Sequence, residues 1–143
     1  MRLRPSPEWE PIFEALARLK QGWPARGFSW DNRVMCITSS FTGDYNNTAH
    51  AAIGLALPLE YNHKTISAAH PSVRDVVEKS GGVRSNQRIF ASSKEPRAGI
   101  MLFGLWWPWN DQETVSVRIG LAGLDANDDP YPRFRDLFNV SVY

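Results

Sequence analysis

The sequence predicts an α+β fold: an antiparallel sheet of about five strands carrying two helices, in the order α-β-β-α-β-β-β. Three observations lead to that expectation. Val115, Val117, Ile119 and Leu121 alternate with Thr114, Ser116 and Arg118, the period-2 pattern of a strand with one buried face. Trp9, Ile12, Phe13, Leu16 and Leu19 instead follow the i, i+3, i+4, i+7 spacing of a helix with one apolar stripe. Runs of adjacent strands joined by short loops then imply antiparallel pairing, with the helices laid on the sheet.

The first helix should begin near Pro11, because a proline further inside would clash with the carbonyl four residues back. Gly22 offers a left-handed cap and Pro24 prevents continuation. Arg33–Phe41, "RVMCITSSF", is rich in β-compatible residues and reads as the first strand. The polar segment "TGDYNNT" reads as a loop, and "AHAAIGLALPLEY" after it as a buried strand ending near Pro58. "HPSVRDVVEKSGG" is the second helix: Pro71 suits the first helical position, Val73, Val76 and Val77 form a narrow apolar face, and Gly81 or Gly82 ends it. A face that short suits a helix resting on a sheet.

Three strands follow, "QRIFASS", "GIMLFGLWW" and "ETVSVRIGLAGL". The middle one is apolar on both faces and should therefore be central. The last segment, "LFNVSVY", reads as either a short closing strand or a final helical turn. No repeat, linker or low-complexity stretch divides residues 1–143, so one domain is expected.

Composition narrows the function classes. The 143 residues are 43% hydrophobic and 22% charged, a globular balance. Sixteen basic against fifteen acidic side chains give a net charge of +1, too little field for a dedicated nucleic-acid binder. Lys64–Arg97 holds seven basic and three acidic side chains, which reads as a solvated face. No apolar run approaches the ~18 residues of a membrane span, and the N-terminus lacks the apolar core of a secretion signal. With one cysteine, Cys36, no internal disulfide can form. A reducing, cytoplasmic setting is the expectation.

Candidate chemistry is sparse. Cys36 lies mid-strand, where a thiol is usually an inert small hydrophobe. His50, His63 and His70 lack the close pairing of zinc ligands, so no metal and no cofactor is expected. In "EKSGGVRSN" the glycines end a helix, whereas a phosphate cradle needs them before one. "DANDDPYPRFRD" mimics a calcium loop at Asp125, Asn127, Asp129 and Asp136, but Pro130 replaces the required glycine and Arg133 brings a positive charge. The polar loop 38–50, with Asp44, Tyr45 and His50, could ring a substrate; a small enzyme centred there is the weakest of three readings.

The tryptophans carry the strongest signal. In "LFGLWWPWNDQE", Trp106 and Trp107 must face opposite sides of a strand, and Trp109 follows Pro108 into a turn, where burial is hardest to arrange. Exposed tryptophan is a favourable binding anchor, because it presents large area at small entropy cost. The favoured reading is therefore a non-catalytic protein-binding module, as regulators, adaptors and toxin-neutralising immunity proteins are. Its anchors would be Trp107 and Trp109, with Asn110, Asp111 and Glu113 as polar rim. The alternative is a sensor or carrier holding a small apolar or aromatic ligand with Trp106, Phe103 and Tyr45. A homodimer would use the same exposed tryptophans, and the covering of this sheet end by Trp9 and the first helix would leave no site at all.

Overall fold

A strand that is apolar on both faces needs cover on both sides, and Met101–Pro108 (β5) meets that need at the middle of the sheet. The computed structural model describes residues 9–24, 27–96, 99–123 and 129–140. Around β5 stand Ser29–Asp31 (β1), Cys36–Thr42 (β2), Leu59–Tyr61 (β3), Arg88–Ala91 (β4) and Thr114–Ala122 (β6). All pairs are antiparallel, in the spatial order β1-β2-β6-β5-β4-β3. The long central strands β5 and β6 form a hairpin, and the edges are three-residue strands, too short to template further pairing.

The two faces are covered unequally. Glu10–Gly22 (α1), Asn46–Gly54 (α2) and Tyr131–Leu137 (α4) cover the first. Phe13, Leu16 and Leu19 of α1, Ala49, Ala52 and Ile53 of α2, and Phe134 of α4 bury against Ile37, Phe41, Phe90, Leu102, Trp106, Val115, Val117, Ile119 and Leu121. Trp23 closes this side by donating its indole N–H to Ser39 Oγ at 2.8 Å. Pro71–Lys79 (α3) covers the second face. Val73 and Val77 sit there on Ile89, Ala91, Met101, Phe103 and Leu105. On the β2 side of this face Ser40 and Thr42 stay exposed, and Thr38 and Thr114 half-buried.

Several expectations need correction. The sheet has six strands and the described residues hold four helices, against about five and two expected. The segment 38–50, read as a polar loop, is the end of β2, a helical turn at Gly43–Tyr45 and the start of α2, which takes in most of "AHAAIGL"; only Leu59–Tyr61 pairs as a strand. Alanine is the best helix former, and Ala49, Ala52 and Ile53 bury one face at helical spacing; a short apolar run does not reveal its period by composition alone. Arg33–Met35 turn rather than extend, with Met35 left-handed at φ 53°, so a brief β1 folds back on β2. Gly22 is the last residue of α1, and the chain leaves through an extended Trp23, without a left-handed cap. The last segment, read as either a short closing strand or a final helical turn, takes the second form: α4 runs to Leu137 and the chain turns at 138–139, while residues 141–143 lie outside the described residues. By contrast, α3 starts at Pro71, is capped by His70, which accepts from Ser72 N, and ends at left-handed Gly81 and Gly82. No helix among the described residues is long and apolar enough to cross a membrane.

Candidate functional site

The β5–β6 turn is built by its own side chains. Trp109 N donates to Thr114 O at 2.8 Å, closing the hairpin, and Gln112 N donates to Trp109 O at 3.3 Å. Gln112 adopts φ 62°, the left-handed position that lets a short loop reverse. Asp111 ties the loop: Oδ1 accepts from Glu113 N at 2.9 Å and Thr114 N at 2.8 Å, and Oδ2 accepts from the Thr114 hydroxyl at 2.7 Å. The Thr114 hydroxyl, then the two backbone N–H groups, hold the Asp111 carboxyl below its ordinary range.

That turn separates the tryptophans. Trp106, on the first face, is 4% exposed, with the rings of Phe41, Phe90 and His50 edge-on around it at 5.4, 6.2 and 6.3 Å. Trp107 is half-buried on the second face, and the Arg118 guanidinium lies 4.7 Å from its ring centroid. Its buried indole N–H finds no hydrogen-bond partner among the described residues. Trp109, two residues on, is 52% exposed. Beside Trp107 and Trp109 is a concavity of about 380 Å³, walled by Ser80–Gly82 at the end of α3 with Arg84 and Gln87, and floored by Ser116 and Arg118.

Arg118 reaches outward from β6 toward Asp31 on β1, Nε to Oδ2 at 3.6 Å. Burial raises the Asp31 carboxyl, but hydrogen bonds from Arg33 and the charges of Arg33 and Arg118 outweigh it, and the group titrates below its ordinary range. Cys36, on the same face, is buried, and desolvation pushes its thiol up to about 12 despite Arg118. A thiol so placed is no nucleophile at neutral pH.

A second cleft, about 500 Å³, lies on the other side of the hairpin between α2 and the turn. Asn46, Asn47, His50, Asn86, Arg88 and Glu113 line it with the edge of Trp106. His50 Nε2 stands 2.6 Å from Glu60 Oε1, and Arg88 Nη1 3.8 Å from the same oxygen.

The residues singled out from sequence are thus distributed. Trp107 and Trp109 share one concavity, Asn110 is exposed at the tip, Asp111 is committed to the turn, and Glu113 borders the opposite cleft. Trp106, Phe103 and Tyr45 do not meet: Trp106 and Phe103 lie on opposite faces, and Tyr45 is exposed just before α2. Trp9 is buried beside Phe13 of α1, but the cover over Trp106 includes His50 of α2. His63 is exposed, and His70 serves α3, with Glu95 3.5 Å from its Nε2. Among the described residues no three His, Cys, Asp or Glu side chains are grouped as metal ligands; Asp125 and Asn127 lie outside them. Sequence reasoning missed Arg84, Gln87 and Arg118. Arg118 could have been found by pairing the hairpin, since Trp107 faces Ser116 and Leu105 faces Arg118; Arg84 and Gln87 carry no comparable signal. Comparison with protein-family models, with curated proteins and with solved structures found no match in any of the three.

Proposed function

We propose that the protein is a non-catalytic binding module that docks a protein partner on the Trp107–Trp109 surface, as small regulators, adaptors and immunity proteins do. The observation that carries this reading is Trp109: an indole left half in water on a turn that five hydrogen bonds hold in place. A large side chain presented on a fixed backbone loses little entropy on binding, and tryptophan is enriched among residues that dominate interface energy. Trp107 extends the apolar area inward, and Ser116, Gln87 and Arg118 supply polar contacts around it.

Affinity capture with the full chain tests this, using Trp109→Ala and, as a control, Leu55→Ala, which truncates another exposed hydrophobic at the end of α2. A stoichiometric protein retained by wild type and Leu55→Ala but not by Trp109→Ala is the expected result. A partner held equally by all three overturns the assignment of the surface. Trp109-dependent self-association would make it a dimer interface instead.

One observation favours a second reading, a small enzyme or ligand sensor using the opposite cleft: Glu60 holds both His50 and Arg88 at its edge. A small-molecule panel would then stabilise the wild type but not His50→Gln, with partner docking unchanged.

A further inference from the structure

Resting on the docking reading above, we infer that the occupant of the Trp107–Trp109 concavity is an acidic segment of the partner protein, with a carboxylate between Arg84 and Arg118 and an apolar neighbour on Trp109. Among the described residues, the charged side chains lining the concavity are these two arginines, and no carboxylate lines it. Arg84 is exposed and lines the concavity, and its backbone N–H is held by Gln87 Oε1 at 2.7 Å. Arg118 has Asp31 at 3.6 Å, but Asp31 is also engaged by Arg33 at 3.4 Å, and one carboxylate serves two guanidinium groups. Local charge is therefore positive on a chain whose net charge is only +1. Arg118 lies over the Trp107 ring at 4.7 Å, and a guanidinium stacked in this way still carries its N–H donors in its own plane, at the edge where a carboxylate is received. Charge complementarity of this kind selects partners and speeds encounter more than it adds affinity.

A displayed random-peptide library, depleted on Trp109→Ala and panned on the full wild-type chain, tests the inference. The expected peptides are enriched in Asp and Glu beside an apolar residue, bind more weakly as salt rises, and lose roughly two- to tenfold in affinity to Arg84→Gln. Arg84→Gln is the decisive variant, because the side chain is exposed and its loss should leave the fold intact. Trp109-dependent peptides with no acidic bias, or acidic ones indifferent to Arg84→Gln, overturn the acidic occupant and leave the docking surface standing. No Trp109-dependent peptide at all overturns both. Tighter binding of an oligothymidylate than of any recovered peptide would assign the arginines to a nucleic-acid strand, and that too overturns the inference.

Discussion

Truncating the tryptophans one at a time should separate core from surface. Trp106→Ala removes a side chain 4% exposed and ringed by Phe41, Phe90 and His50, with Arg88 5.9 Å from its centroid. Truncations of that kind cost about 3–5 kcal/mol, the lost transfer energy plus the cavity left behind. Trp109→Ala removes a side chain already half in water, and its turn is held by backbone and Asp111 bonds that survive the change. A cost of about 1 kcal/mol is expected. Urea unfolding followed by far-ultraviolet circular dichroism, which does not depend on the deleted fluorophore, measures both. With a slope of about 2 kcal/mol/M, the midpoint should fall by about 2 M for Trp106→Ala and about 0.5 M for Trp109→Ala. Trp106→Phe keeps one ring in place and should lose about 1–2 kcal/mol. Equal shifts for the two alanine variants would refute the assignment. If Trp109→Ala cost as much as Trp106→Ala, the turn tryptophan would be core in solution, and docking would lose its anchor.

Three further outcomes follow from particular contacts. A Cβ added at Gly120 would lie 2.5 Å from Phe103 Cζ and 2.8 Å from Cys36 Sγ, so Gly120→Ala should destabilise by about 1–3 kcal/mol, with partial recovery when combined with Phe103→Leu; a neutral thermal melt would contradict this packing. Asp31 titrates lower in the folded chain than unfolded, so its contribution is present above the unfolded carboxylate value near ~3.9 and is lost as pH falls through the folded one. The stability gap between wild type and Asp31→Asn should therefore be constant above about pH 5 and shrink in acid; a gap that widens in acid reverses the sign. Cys36, buried with its thiol raised to about 12, should ignore an aromatic disulfide reagent at neutral pH until urea unfolds the chain, and rapid native-state labelling would show that face to be open.

What the sequence determined by itself was whatever local periodicity and turn chemistry control. The apolar stripe of α1, Pro71 and the glycines around α3, and the alternation along β6 each specify an element without reference to the rest of the chain. The same alternation placed Trp106 opposite Trp107, and the doubly apolar β5 at the centre. Tertiary structure decided the rest. Ala49–Ile53 became helix because that face packs beside α1, where a Cβ on Gly22 would lie 3.5 Å from the Ala52 Cβ, a closeness no local pattern encodes. β1 exists only through its pairing with β2, three residues being too few to carry a periodic signal. The site depended most on long-range placement. Trp109 stands beside the end of α3, and Arg84 and Arg118 line one concavity because the residues that follow α3 lie against the β5–β6 hairpin. Local sequence sets which side of a strand a residue faces; what stands opposite that side is set by packing between distant segments.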